Sequence, residues 1–292
     1  MIKTDSFANS RKKPSWLKRS LPTGPDYERV RNLLGQSKLH TVCQEAKCPN
    51  MWECFSRHTS TFMIMGTQCT RNCRFCNVKT GTPLPLDPRE PLRVAQASMK
   101  LGLRYVVVTS VTRDDLEDGG AAHFAATIKE IKKNLPKGTR VEVLIPDFQG
   151  DHEALDTVLE AGPDVLNHNI ETVPSLYSTV RPQAGYRRSL DLMQRAANGK
   201  KMDIPVKSGI MVGLGEGMEE IESTIRDIYA HGCRLLTIGQ YLQPSGKHLG
   251  VVKFYEPREF DELKEFALGV GFDSVASGPF VRSSYQADKL HT

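Results

Sequence analysis

No stretch of this sequence reaches the roughly 18 to 20 uninterrupted apolar residues that a membrane span needs, which argues against a transmembrane protein. The start, MIKTDSFANSRKKPSW, lacks the apolar core of a secretory signal, so a cytoplasmic location is expected. The basic residues Arg11, Lys12, Lys13, Lys18 and Arg19 leave an organelle open, while Asp5 and the shortness of the segment argue against a transit peptide. A strong charge bias is also missing. The net charge is +5 over 292 residues, without the basic stripe interleaved with aromatics that tracks phosphates, so no nucleic acid is expected and an acidic protein partner is favoured. There is no short internal repeat, no low-complexity segment, no dinucleotide fingerprint and no recognisable triad or carboxylate pair. Cysteine is almost absent after Cys76, where only Cys233 occurs, and the total of seven is odd. With no export signal, that distribution points to metal or cluster ligation before disulfides.

What is present suits a folded α/β enzyme: 39% hydrophobic and 25% charged residues, with 23 Gly and 17 Pro, in a length fitting one large barrel or two ordinary domains. The first 40 residues, with Pro14, Pro22 and Pro25, read as a surface-wrapping segment with a short helix near Tyr27 to Leu34. From Thr61, β-branched runs read as strands buried on both faces: Phe62 to Gly66, Tyr105 to Thr109, Val141 to Ile145, Val165 to Asn169, Val206 to Val212 and Leu235 to Gly239. Helical spacing appears over Pro91 to Leu101, Gly120 to Leu135, His152 to Ala161, Arg188 to Lys201, Met218 to His231 and Glu256 to Val270. Six strand–helix units predict a parallel sheet with right-handed crossovers, and periodicity alone does not separate a barrel from an open sheet.

Cys69-Thr-Arg-Asn-Cys73-Arg-Phe-Cys76 has CxxxCxxC spacing and follows the first buried strand directly. Three thiolates on one loop hold three irons of a four-iron cube and leave the fourth open. Zinc is the alternative, with His58 or another cysteine as fourth ligand. Phe75 reads either as an apolar shield or as ordinary packing. A second group, Cys43, Cys48 and Cys54, has CxxxxCxxxxxC spacing; two triplets suggest two clusters, with zinc or packed thiols as alternatives. Cys233 lies outside both and reads as a packed thiol.

The first motif, after the first strand of a βα series, resembles the radical S-adenosylmethionine superfamily. There the cofactor chelates the open iron, and one electron cleaves its sulfonium to give a 5′-deoxyadenosyl radical. The second triplet, with Arg282-Ser283-Ser284-Tyr285 near the end, resembles the lipoyl synthase family. That resemblance implies an auxiliary cluster on Cys43, Cys48, Cys54 and Ser283, beside a radical cluster on Cys69, Cys73 and Cys76. It implies a partial parallel (β/α)6 barrel over residues 61–272. An N-terminal extension, 1–60, and a C-terminal segment, 273–292, would carry the auxiliary cluster and bring it over the barrel mouth.

Ligands of parallel α/β folds lie at the carboxyl ends of the strands. Asn169 and Glu171 end one strand and are similar to the segment that meets the cofactor in this family; His168 should face away and be structural. Gly209 to Glu216 resembles the superfamily's GxIxGxxE pattern, which assigns Gly209 and Gly213 to the adenine. Arg181 reads as a partner for the cofactor carboxylate or an iron-proximal anion, or as a surface arginine. Thr112, with Thr109, Ser110, Arg113 and Asp114, ends another strand on the same rim, as do Gln240, Tyr241 and Gln243.

The implied reaction is sulfur insertion at C6 and C8 of an octanoyl chain on a carrier lysine, with two S-adenosylmethionines and two [4Fe-4S] clusters. The implied partners are octanoylated lipoyl domains of 2-oxoacid dehydrogenase subunits, the glycine cleavage H protein, and ferredoxin or flavodoxin as reductant. The chain is expected to act as a monomer. A methylthiotransferase, a biotin synthase relative or a structural zinc protein are the rival readings.

Overall fold

The computed structural model describes residues 13–18, 25–46, 48–56, 60–199 and 204–290. His58, Lys201, Arg11, Lys12 and Arg19, named above, lie outside these residues.

The strands are β1 (His40–Thr41), β2 (Thr61–Ile64), β3 (Gln68–Cys69), β4 (Lys79–Thr80), β5 (Tyr105–Ser110), β6 (Arg140–Leu144), β7 (Val165–Asn167), β8 (Val206–Val212), β9 (Leu235–Gln240) and β10 (Ser274–Gly278). Eight of them form one sheet in the order β1-β2-β5-β6-β7-β8-β9-β10, and β3 pairs with β4 alone. Every pair in the large sheet is parallel except β1 with β2. The edge strands β1 and β10 do not pair with each other, so the barrel is partial.

Within the large sheet two strands exceed the six expected, and among the described residues the short pair β3 and β4 was not expected either. β10 lies beyond residue 272, where the barrel was expected to end, and its short run SVASG carries no continuous β-branched stretch to mark it. β1 is a two-residue antiparallel addition from the N-terminal extension.

The helices are α1 (Pro25–Gln36), α2 (Val42–Glu45), α3 (Met51–Ser56), α4 (Glu90–Lys100), α5 (Ala121–Asn134), α6 (His152–Glu160), α7 (Tyr177–Val180), α8 (Tyr186–Ala197), α9 (Met218–Ala230), α10 (Pro257–Val270) and α11 (Ala287–Leu290). Their starts carry local chemistry. Asp151 caps α6 by accepting from the Glu153 and Ala154 amides, and Pro257 opens α10 while Glu259 reaches back to the Glu256 amide at 2.8 Å.

Strand side chains alternate between the two faces. Outer positions such as Val106, Val108, Val141, Val143, Leu236 and Ile238 are buried in the main core with helix residues such as Phe124, Ile128, Leu155 and Ile225. Inner positions grow smaller across the barrel, from Val107 and Leu144 to Gly209, Thr237 and Gly239, and they leave a cavity of about 890 Å³.

Candidate active site

The segment after β2 carries Cys69, at the end of β3, and Cys73 and Cys76 in the loop that follows, and it is held from several sides. The Thr70 amide and hydroxyl both donate to the Thr112 carbonyl, at 3.1 and 3.0 Å. Arg71 forks onto both Asp114 oxygens, at 2.7 and 2.8 Å, and onto Asp147 at 2.6 Å. Asp147 is fully buried and also faces Arg188 at 2.9 Å. Burial alone would raise its carboxyl, but the Arg71 hydrogen bond and charge outweigh that and hold it at about 2. Further along, the Arg74 amide donates to the Val180 carbonyl, and His248 Nε2 donates to the Cys76 carbonyl at 3.0 Å. The Thr112 and Arg71 amides point at Cys69 Sγ, at 3.3 and 3.5 Å, as donors to a sulfur that bears charge.

Across the barrel rim, Arg181 Nη1 donates to the carbonyls of Asn169 and Ile170 and to Tyr177 Oη, at 2.8, 3.1 and 2.9 Å. Tyr177 donates to Ser189 Oγ, Ser189 to His168 Nε2, and His168 Nδ1 to the Ile145 carbonyl. His168 is therefore structural, as expected, and burial, with Arg181 nearby, lowers its pKa to about 4. Asn169 Nδ2 meets Glu171 Oε1 at 3.0 Å. Glu171 sits at φ 70, a strained conformation for a residue with a Cβ, and is pinned to β8 through the Gly209 carbonyl and the Met211 amide. Burial raises its carboxyl despite Arg181 and Asn169.

The second triplet comes from the N-terminal extension. Cys43 follows β1, is buried, and has the Thr61 backbone within reach of its thiol, which puts it at the amino end of β2. The Cys69 loop follows the opposite end, beyond about three residues of strand or roughly 10 Å. The auxiliary triplet thus does not lie over the mouth, where the sequence reading placed it; it lies along the open side, because β1 runs antiparallel to β2 and carries the chain down. The C-terminal segment meets it there. Asn50 Nδ2 donates to the Phe280 carbonyl at 2.7 Å, and Tyr285 Oη donates to Glu53 Oε1 at 2.8 Å. These contacts join residues about 230 positions apart and set Ser283 on the same cavity as the cysteines. Gly239 of β9 leaves the room: a Cβ there would run into the Val281 carbonyl oxygen.

One cavity is lined by all six cysteines and by Ser283, Thr112, Asn169, Glu171, Arg181 and Gly209. Among the described residues no group of three or more His, Cys, Asp or Glu side chains is set round a single metal ion, whereas the thiolates of a cube reach separate irons. Burial raises the thiols of Cys43 and Cys73, and that of Cys76 to about 12, so loading a cluster releases protons. The residues also fit the organic cofactor. Asn169 Oδ1 and Arg181 Nε are buried on this cavity without a partner among the described residues, and the missing side chain of Gly209 leaves space that a Cβ would lose to Thr237 Oγ1 at 2.6 Å.

Other expected site residues are used structurally. Gly213 does not line the cavity; at φ 110 it packs against Gln240 and Lys253, and its amide is taken by Glu216, the acid of the same pattern. Arg113 pairs with Asp115, and Asp114 with Arg71. Gln240 spends its amide on backbone groups of Val212, Tyr241, Lys253 and Tyr255. Phe75 packs against Val180, Leu214 and Tyr241 and lines the cavity as well. Cys233 is a fully buried thiol donating to the Val206 and Leu235 carbonyls. Sequence reasoning missed Arg71, Asp147, Asn50 and Gly239, whose partners lie tens to hundreds of residues away and leave no local signal.

Residues 63–228 match the Radical SAM superfamily, and residues 3–48 match the N-terminal domain of lipoyl synthase. The lipoyl synthase of Desulfotalea psychrophila is 58% identical over 278 residues, covering 95% of this chain and 92% of that protein. The lipoyl synthase of Caldanaerobacter subterraneus subsp. tengcongensis is 57% identical, covering 95% and 96%. Among solved structures, methylornithine synthase superposes with a TM-score of 0.53 at 16% identity, covering 89% of this chain and 84% of that one. The FeFe-hydrogenase maturase HydG from Carboxydothermus hydrogenoformans gives 0.59 at 14%, covering 73% and 52%; at such identities these two speak for the fold. With relatives alike over almost its whole length, and two cysteine triplets facing one cavity, the chain belongs to the lipoyl synthase family of the radical S-adenosylmethionine superfamily.

Proposed function

We infer that the cavity holds the octanoyl chain of a lipoyl carrier between two four-iron sites, one on Cys69, Cys73 and Cys76 and one on Cys43, Cys48, Cys54 and Ser283. As a family member the chain is a radical S-adenosylmethionine sulfurtransferase that inserts sulfur at C6 and C8 of a protein-bound octanoyl group. When bound, the cofactor and its cluster supply hydrogen-atom abstraction, and the second cluster supplies sulfur. The remaining work is positioning. Arg181, fixed by Tyr177 and two carbonyls, offers its free Nε to a carboxylate, and Asn169 and Glu171 face the ammonium or ribose. Gly209 leaves room for the adenine, and Thr112 steadies Cys69 through its amide. The segments 1–60 and 273–292 act as two arms of the auxiliary site, and β10 of the latter also completes the sheet.

The observation that carries this reading is that both triplets and Ser283 open on one cavity whose volume suits a small ligand. The chain acts on lipoyl carrier proteins; we assign 2-oxoacid dehydrogenase lipoyl domains and the glycine cleavage H protein as those carriers, ferredoxin or flavodoxin as reductant, and the cytoplasm as the place of action of a monomer. Among the described residues no helix is long and apolar enough to cross a membrane.

Anaerobic reconstitution tests the cluster assignment. About eight irons per chain are expected, falling to about four in Cys43→Ala and in Cys69→Ala. Four irons in the unsubstituted chain, or stoichiometric zinc, would overturn it.

A further inference from the structure

Residues 241–256 join β9 to α10 with no helix or strand between them. Connections longer than about 12 to 15 residues without structure of their own are uncommon, and ordered ones usually carry a function. Hydrogen bonds within this loop fold it back on itself. Gln243 Nε2 donates to the His248 carbonyl at 2.9 Å, the His248 amide to the Ser245 carbonyl at 3.1 Å, and Tyr241 Oη to the Leu249 carbonyl at 2.7 Å. The Val252 amide ties its far end to the Gly213 carbonyl at 2.9 Å.

The folded loop grips the cysteine segment at two points, one on each side of Phe75. The Leu249 amide donates to the Arg74 carbonyl at 3.2 Å, and His248 Nε2 donates to the Cys76 carbonyl at 3.0 Å. Between these points Phe75, Leu249 and Val251 pack against one buried group, Val180, Leu214 and Tyr241. A carbonyl only accepts, so Nε2 carries the hydrogen; Nδ1 lies 2.9 Å from Ser245 Oγ, which fixes the plane of the ring. The Lys247 amide donates to the same hydroxyl at 3.4 Å. The chain after Cys76 is where this grip matters. Its carbonyl meets His248, and two residues on from Cys76 the Val78 amide donates to the Cys76 sulfur. Hydrogen bonds to ligand sulfurs are among the terms that set a cluster's reduction potential, since an N–H donor favours the more negative, reduced state. With the Cys76 carbonyl released, the peptide after it is free to turn and to carry the Val78 amide off the sulfur.

We propose that His248 is a positioning residue for the radical cluster: by holding the Cys76 carbonyl it keeps the Val78 amide on the Cys76 sulfur, and so raises the potential at which that cluster takes up its electron. This rests on the assignment of the cluster to Cys69, Cys73 and Cys76. His248 does not line the cavity, so it acts through Cys76 and not on the substrate.

The test is a potentiometric titration of the reconstituted enzyme followed by electron paramagnetic resonance, with the two cluster signals assigned from Cys43→Ala and Cys69→Ala. His248→Ala should lower the potential of the radical cluster by about 59 mV, about a 10-fold change in its one-electron reduction equilibrium, and leave the auxiliary cluster unmoved. His248→Gln, whose amide nitrogen takes the place of Nε2, should restore most of that shift; His248→Asn, whose nitrogen takes the place of Nδ1, should not. If His248→Ala fails to retain the radical cluster, the same effect is read in occupancy: about four irons per chain with the Cys43 site filled, returning to about eight in His248→Gln. An unchanged potential in an iron-replete His248→Ala, equal shifts of both clusters, or a His248→Gln no better than His248→Ala would overturn the proposal. A four-iron signal that survives intact in Cys69→Ala, with no second one lost, would instead sink the cluster assignment beneath it.

Discussion

His168 shows how a single residue supports the site through its neighbours. Its neutral ring closes the chain of hydrogen bonds that runs from Arg181 through Tyr177 and Ser189 to the Ile145 carbonyl. Burial and the nearby Arg181 lower its pKa from 6.5 to about 4, so the unfolded chain binds the proton more tightly than the folded one. This contribution is complete above pH 6.5 and is lost as the pH falls toward 4, at up to about 1.4 kcal/mol per unit. Urea unfolding of the reconstituted protein across that window should show the slope, and His168→Gln, which can keep a donor and an acceptor, should flatten it. Its role was legible in the sequence from strand alternation, whereas the strain at Glu171 was not, because the left-handed φ there depends on bridging to β8.

At the level of elements, the cysteine loop owes its shape to groups outside itself. Its anchors Asp114 and Asp147 follow the ends of β5 and β6, and both are gripped by Arg71. Arg71→Lys removes the planar fork and costs about 1.5 to 3 kcal/mol for each charge-assisted bond lost. Iron should then fall from about eight toward about four per chain, with the loss read in the electron paramagnetic resonance of the reduced radical cluster and the Cys43 site left filled. A retained full complement would show that the cysteines suffice. The six expected strands and six main helices all formed within about four residues at each end among the described residues, since long runs of β-branched residues and regular apolar spacing state their own period. β1 and β10 stayed hidden because two residues, or five with three of them small and one glycine, carry too little pattern.

At the level of the whole molecule, the two ends of the chain meet on the open side of the barrel. The Asn50 and Tyr285 hydrogen bonds each contribute about 1 kcal/mol to holding the C-terminal segment against the auxiliary triplet. In Asn50→Ala combined with Tyr285→Phe, a chelator should strip the second cluster several-fold faster while the first resists as before; equal rates would mean that Ser283 is held by other contacts. The sequence by itself determined the chemistry and the class of fold, because cysteine spacing is a local property and strand and helix periods are written residue by residue. Only the tertiary structure decided that the second triplet lies along the barrel's side, that Gly213 serves its own turn while Gly209 faces the cavity, and that the charges of Glu142 and Lys207 meet in a buried pair. Those outcomes depend on the register of separate strands and on pairs such as Glu142 with Lys207, 65 residues apart, which no local pattern encodes.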